Sequence, residues 1–501
     1  RHRPGGGAVQ VVVGLDAGTT ATKALTAGLD GRVRDLARRG YPLQVPAPGR
    51  AELDPRRVGT AAVEALAEVA ARARERGDEV VAVCLSAALH GLVPLDAAGQ
   101  PLGPLVTWAD GRAAPQAAAL HRSGLAAGLH ARTGTPVHAM SPLCTLAWHR
   151  QHAPDLLTGA ARWGGVKELL LAALCGPAPE VDLSCASATG LLASASRDWD
   201  DEALAVAGVR RDQLAEVLPP TAVRPLAPDV ARAAGLPPVP VVLGAGDGVL
   251  ANLGSGAVRS GTGALTVGTS AALRSVVPAP RSAPELFCYA LTDDRWVVGG
   301  AVNGGGSVVR WASLALAGAD GDDPAVADVD AALLAEAAGV PAGSDGLLCL
   351  PYLLGERAPW WRDGLTGAYL GLRRDHRRPH LVRAAVEGVA QQLALVLAAL
   401  PAAGAGVTEL RGAGGALAAP LWREVLAAAL DVPLRLGAVE ASGLGAALLG
   451  WHALGALDLD DAAELVPASA PLPVDAAVAA ESRRTRDVHA RAAQLLADLL
   501  A

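Results

Sequence analysis

The sequence is poor in several residue types. Of 501 residues, one is Phe, one is Met and four are Tyr. Two are Lys, Lys23 and Lys167, against 41 Arg. This bias, together with many alanines, is the imprint of GC-rich codons, so Ala-rich helical stretches carry no functional signal here. Cysteine is sparse and dispersed: Cys84, Cys144, Cys175, Cys185, Cys288 and Cys349 form no Cys-x-x-Cys pair. That pattern argues against a zinc site or a disulfide framework, and fits free thiols in a reducing cytoplasm. Net charge is −7 and no long basic run is present, which argues against nucleic acid and anionic membranes as partners. The nearest basic run, Arg373 to His380, reads as a solvated helix start. The basic opening RHRPGGGAVQ lacks an apolar segment, so it reads as a leader without structure and not as a signal peptide. The longest uncharged run, Gly388 to Thr408, is interrupted by two glutamines, a proline and glycines. It predicts a buried helix ending near Pro401, not a membrane span.

Half of the residues are hydrophobic and 19% are charged, a globular composition. The length exceeds one ordinary core and predicts two domains or three. Val11 to Leu15 reads as a buried strand, and Leu29 to Val33 carries an Asp-Gly turn signal, so the segment VVVGLDAGTTATKAL sits in a β-meander. A helix is expected after Asp54, capped by that residue, opened by Pro55 and closed by Gly77. Its apolar face is Val63, Leu66, Val69, Ala70 and Ala73. Glu79 to Ala87 follows as a buried strand, which gives an α/β architecture.

Val258 to Val277 again places Gly-Thr pairs between apolar alternations. Two such hairpins predict two domains of related design facing a shared cleft, with the boundary near residue 255. Neither is a Walker loop, which needs Gly-Lys-Ser/Thr opening a helix, and neither has dinucleotide-fold glycine spacing. What remains is a hairpin whose backbone N–H groups and threonine hydroxyls meet phosphate oxygens, or a plain Gly-rich hairpin. Asp16 would repel phosphate directly and is placed to face Mg²⁺ through water. Asp247, after the strand VVLGAG and flanked by glycines, is either a cap for the next helix or the base that a phosphoryl transfer to an alcohol needs. His90, Trp108, Asp110 and Arg112 lie close together and offer an apolar platform with polar groups for a polyol. Each also has a purely structural reading.

These residues bring a resemblance into view. Over roughly residues 10 to 460 the chain resembles the FGGY carbohydrate kinases, which have the two-domain actin/hexokinase-like (ribonuclease H-like) α/β ATPase fold with an interdomain cleft. GAYLGLRRDHRRPHLVRAAVE (Gly367 to Glu387) carries the C-terminal signature. The N-terminal signature, Met140 to His152, departs from the pattern, with Thr145 where the family usually has Lys and His149 where it prefers an apolar residue. HGLVPLD, TWADGR, RTGTPVHAMSPLC, VDLSCASATGLL, GAGDGVLANLG and LPYLLGERAPWW lean toward gluconate kinases within the family.

The resemblance implies ATP and Mg²⁺ as cofactors, and transfer of the γ-phosphate to a terminal hydroxyl of a sugar acid, D-gluconate. Xylulose or another ketose or polyol is the alternative acceptor; an actin-like ATPase and a non-catalytic sugar sensor are remote ones. It implies domains at 10–254 (sugar site, first phosphate hairpin) and 255–501 (second hairpin, adenosine loop). By position it makes Asp247 the base and places Asp16 at the metal. Thr19, Thr20, Gly261, Thr262 and Gly263 fall at the phosphates, and Gly414 and Gly415 at the adenosine. His90, Gly91, Trp108, Asp110, Arg112 and Asp247 surround the sugar. Ala418 and Ala419 stand where relatives often carry Asn or Ser. The expected partners are a small-molecule substrate and a second copy of the chain, with no nucleic acid and no membrane.

Overall fold

The computed structural model describes residues 9–177, 179–321, 323–437 and 440–500. The basic opening, Arg1 to Ala8, lies outside the described residues. The chain divides into two compact units. One comprises the chain up to Arg259 with Val276–Val297 and Glu440–Pro467; the other comprises Ser260–Ser275, Val298–Val439 and Ala468 onward. The expected boundary near 255 thus falls close to the first crossing, but the chain crosses several times.

The first unit is built on six strands: β1 (Gln10–Ala17), β2 (Ala21–Gly28), β3 (Val33–Gly40), β4 (Glu79–Ala87), β5 (Val223–Pro225) and β6 (Pro240–Gly246). Their order is β5-β6-β4-β1-β2-β3. β1, β2 and β3 form the antiparallel meander, and β4 runs parallel to both β1 and β6. β1 is apolar at successive positions because both of its faces are covered. Val11, Val13 and Leu15 share a core with Val58, Leu66 and Val69 of the helix Pro55–Arg76. On the opposite parity, Val12 and Gly14 meet Gly450 and Gly443 of the helix Ala441–Ala453. That helix also crosses the helix Asp247–Gly254 so closely that a Cβ on Gly445 would overlap the Leu250 carbonyl.

The helix Pro55–Arg76 begins and ends as its sequence dictates. Asp54 accepts a hydrogen bond from the Arg56 N–H at 3.0 Å, and Gly77 closes the helix at φ 78°. These supply the partners that helix ends lack.

The second sheet contains β7 (Thr262–Val267), β8 (Ala271–Val277), β9 (Phe287–Ala290), β10 (Trp296–Val302), β11 (Glu409–Ala413) and β12 (Leu434–Leu436), in the order β9-β10-β8-β7-β11-β12. β7 pairs antiparallel with β8 and parallel with β11, and β11 runs parallel to β12. The scheme around β7 therefore repeats the one around β1: a hairpin on one side and parallel strands on the other. The helix Arg378–Ala399 takes in the uncharged run from Gly388 to Ala399 and is continued to Ala403 by a short 3₁₀ turn. It is long and apolar enough to cross a membrane, and 67% of its most apolar window is buried inside the protein.

Candidate active site

The register of the first sheet assembles a row of polar side chains at one level. Asp16 on β1 lies opposite Lys23 on β2 and opposite Ser86 on β4, and Ser86 lies opposite Ala245 on β6. Asp247 follows two residues beyond, in the first turn of its helix. The Ser86 hydroxyl donates to Asp16 Oδ1 at 2.6 Å, and Lys23 pairs with Glu440 at 2.7 Å. Burial and the neighbouring Asp247 carboxylate push the Asp16 carboxyl up to about 6, against the pull of the Ser86 hydroxyl and Lys23. Two carboxylates that raise one another's cost of ionisation are suited to sharing a hard cation. Among the described residues no group of three or more His, Cys, Asp or Glu could hold a metal by itself. Water and phosphate oxygens would have to complete the shell, and the Asp16–Asp247 pair fits Mg²⁺ on those terms.

Asp247 is the first residue of its helix; Gly246 is the N-cap and makes no side-chain cap bond. A carboxylate in that first turn is stabilised by the helix dipole, and Asp247 Oδ1 accepts the Gly248 N–H at 2.6 Å.

The first turn, Gly18-Thr19-Thr20, joins β1 to β2 and is held by Tyr41. The Tyr41 hydroxyl donates to the Gly18 carbonyl at 2.7 Å and its N–H to the Thr20 carbonyl at 3.0 Å. Thr19 Oγ1 accepts the Trp108 indole N–H at 3.0 Å. Thr19, Gly91 and Trp108 line one small cavity, so these sequence-predicted residues do converge. His90 adopts φ 66°, with Nδ1 2.8 Å from the Ala188 carbonyl and its ring edge-on to Tyr289.

Asp110 and Arg112 are arranged as a brace. Asp110 is 3% exposed. Its carboxylate accepts the Ala51 N–H at 2.7 Å, the Arg112 N–H at 2.9 Å, and Arg112 Nε and Nη2 at 2.7 Å each. Arg112 Nη2 also pairs with Glu52, and the guanidinium lies over the Trp148 ring. This two-pronged pairing favours the loop-bracing reading of Arg112 over the carboxylate-reading one. Thr145 is buried on the helix Pro142–His152.

The second unit corrects one set of assignments. Gly261, Thr262 and Gly263 lie at the start of β7, where Gly261 O accepts N–H groups from Thr408 and Glu409. The turn between β7 and β8 is Gly268-Thr269-Ser270, at the other end of that strand. It corresponds to Gly18-Thr19-Thr20, because each follows the first strand of its hairpin. The Gly306 N–H donates to the Gly268 carbonyl at 2.7 Å and the Ser307 N–H to the Thr269 carbonyl at 3.1 Å. The turn is thereby docked onto the N-terminus of the helix Gly306–Ala317. Both Gly-Thr pairs have the composition of a hairpin turn; the second is distinguished by its place after an apolar strand, as in AGTT. The approach to this helix is fixed by Glu356, whose buried carboxylate accepts N–H groups of Asn303 at 2.7 Å and Arg357 at 2.8 Å. Burial pushes its carboxyl up to about 7.

Beside this turn opens a cavity of about 1260 Å³, lined by Gly268, Thr269 and Ser307, by Leu314, Ala331 and Leu334, and by Gly415, Ala418 and Ala419. Ser307 and Leu314 are seven residues apart on one helix, roughly 10 Å, so the cavity runs from the turn along an apolar wall. That length and character suit a nucleoside with its phosphates at the turn. Gly414, at φ 112°, packs so tightly on β7 that a Cβ would overlap the Val267 carbonyl. The expected adenosine loop is therefore at the cavity, while Gly261 to Gly263 are not among its lining residues.

Comparison with known proteins places this arrangement. The FGGY family of carbohydrate kinases, N-terminal domain, matches residues 11–254, and its C-terminal domain matches residues 263–454. Gluconokinase of Bacillus subtilis (strain 168) is 36% identical over 459 residues, 90% of this chain and 89% of that protein. The crystal structure of gluconate kinase from Lactobacillus acidophilus superposes with a TM-score of 0.89 at 30% identity, covering 98% of this chain and 99% of that one. Ligand-bound xylulose kinase from the same organism gives 0.88, also at 30% identity, over 98% and 99%. The chain belongs to the FGGY family of carbohydrate kinases.

Proposed function

We propose that this carbohydrate kinase transfers the γ-phosphate of ATP to the terminal hydroxyl of D-gluconate, giving 6-phosphogluconate, and acts in the cytoplasm. The observation that carries the chemistry is the cross-strand row ending in Asp247: a carboxylate in the first turn of a helix, next to a second carboxylate whose proton affinity is raised. Asp247 accepts the proton of the attacking hydroxyl from the first turn of its helix, where the dipole favours a carboxylate. Asp16 would hold Mg²⁺, and the ion would supply charge neutralisation at the transferred phosphoryl group. Thr269 contacts the phosphates of a nucleotide whose nucleoside lies along the Leu314–Ala418 cavity, and Thr19 and Thr20 are the hydroxyls that residues 10–254 offer to phosphate. His90, Gly91 and Trp108 surround the sugar.

The acceptor rests on the 36% identity to a gluconokinase across nine-tenths of both chains. A ketose or polyol acceptor is the second reading. It is favoured by the pairing of Arg112 with Asp110 and Glu52, which occupies the most obvious carboxylate reader. ADP release measured across gluconate, xylulose, ribulose and glycerol separates the two. We expect kcat/KM for gluconate to exceed the others by at least tenfold; a neutral sugar equal to or better than gluconate overturns the acceptor assignment.

A further inference from the structure

Lys167 is one of two lysines in the chain, and its side chain is 1% exposed. A buried ammonium is costly unless it is paired and fully hydrogen-bonded. Its partners explain its presence. Nζ lies 3.3 Å from Asp182 Oδ2 and donates to the carbonyls of Leu85 at 3.1 Å, Ala245 at 3.4 Å and Leu243.

These three carbonyls converge for a reason visible in the sheet. The register between β6 and β4 shifts between Val242 and Ala245. Gly244 sits at φ 73°, and a Cβ there would overlap the Leu85 carbonyl. An irregularity of this kind interrupts the ladder and deprives carbonyls of their strand partners. The single ammonium, with three rotatable donors, replaces them.

The carbonyls belong to the residues that lead into the reacting centre. Leu85 precedes Ser86, the hydrogen-bond donor to Asp16. Leu243 and Ala245 precede Asp247 by four and two residues. Asp182 closes the device: it caps the short helix Leu183–Ser187, where Ser184 Oγ accepts the Gly246 N–H at 3.1 Å. The strand end that carries Ser86, the hydrogen-bond donor to Asp16, and the strand end that leads into Asp247 are thus tied to one cation.

We infer that Lys167 is a positioning residue for phosphoryl transfer, fixing the ends of β4 and β6 so that Asp16 and Asp247 keep their mutual placement. The inference rests on the assignment of those two aspartates to the transfer step. Misplacing a reacting group by about 1 Å costs up to roughly 100-fold in rate without removing any substrate contact.

Two variants test it. Lys167→Met keeps the length of the side chain and loses its charge and donors. Lys167→Arg keeps the charge but spreads its donors over a planar fork that does not converge on three carbonyls at one point. Kinetics are measured on folded, concentration-corrected enzyme, with Asp247→Asn alongside. For Lys167→Met we expect kcat to fall 10- to 100-fold with KM for nucleotide and sugar within threefold, and for Lys167→Arg an intermediate loss in kcat alone. A folded Lys167→Met enzyme with kcat within threefold of wild type overturns the inference, as does a rise in both KM values equal to the fall in kcat. If Lys167→Met does not fold, Lys167→Arg decides by itself: a kcat loss of threefold or more at unchanged KM supports the role, and a smaller loss overturns it. Failure of the underlying assignment is recognised separately, because Asp247→Asn would then retain its turnover.

Discussion

Replacing Asp16 by Asn should destroy activity and stabilise the ligand-free protein. In the folded chain burial and Asp247 push the Asp16 carboxyl from 3.8 up to about 6. A raised carboxyl pKa means that the folded state binds the proton more tightly than the unfolded state. The ionised group therefore costs stability above pH 6, and the cost disappears as pH falls toward 3.8. The full shift corresponds to about 3 kcal/mol at pH 7.5. Asp16 is only partly buried, so screening reduces the expected gain to about 1–3 kcal/mol. Asn keeps an oxygen to accept the Ser86 hydroxyl, so the substitution removes charge with little loss of bonding. For a unit of about 300 residues the gain appears as roughly 1–5 °C in melting temperature. Differential scanning fluorimetry at a fixed scan rate, without nucleotide or divalent cation, measures it at pH 7.5 and pH 4. The gain should be present at pH 7.5 and nearly gone at pH 4. A variant less stable than wild type at pH 7.5, or equally stabilised at both pH values, refutes the reasoning.

Three further outcomes follow from the site. Thr269→Val should raise KM for ATP by about 10- to 100-fold, the worth of one hydrogen bond to a charged group, while Thr262→Val should leave it within twofold; steady-state titration of ATP at saturating sugar distinguishes the two turns. Arg112→Lys should impair gluconate and a neutral polyol by similar factors in parallel KM measurements, because the guanidinium braces Asp110 and Glu52; a loss selective for gluconate would return Arg112 to the carboxylate. His149 is 6% exposed with both ring nitrogens unpartnered among the described residues, and burial together with Arg112 and Arg50 pushes its pKa down to about 4. The unfolded chain therefore gains the proton first, stability is lost as pH falls from 6.5 toward 4, and His149→Leu should retain about 2 kcal/mol more at pH 5 than wild type, read by urea denaturation at pH 5 and pH 7.5.

Local chemistry made much of the fold legible. Asp54, Pro55 and Gly77 mark the ends of their helix through capping that depends on neighbours in sequence alone. The Asp-Gly turn at Asp30 and Gly31 marks the meander for the same reason. The strand Glu79–Ala87 was legible as an apolar run bounded by polar residues. The placement of Asp16 and Asp247 was legible from the apolar strands that lead up to them, Asp16 near the end of β1 and Asp247 directly after β6. The site was misread where two similar words compete: SGTG and VGTS both offer Gly-Thr, and only strand pairing shows that the second makes the turn. Asp110 and Arg112 looked like ligands because polar residues near Trp108 have no visible partner in one dimension. Their partners, Ala51 and Glu52, are roughly 60 positions away. Lys167 carried no signal beyond rarity, since its carbonyl partners on β4 and β6 are about 80 residues distant on either side.

The central claim is that Asp247 removes the proton from the sugar hydroxyl during phosphoryl transfer. Rapid-quench measurement of 6-phosphogluconate formation by Asp247→Asn, with ATP, Mg²⁺ and gluconate all saturating, tests it directly. The account predicts a transfer rate about 10²–10⁴-fold below wild type, with the affinity for both substrates within threefold. Transfer at more than a tenth of the wild-type rate would contradict it.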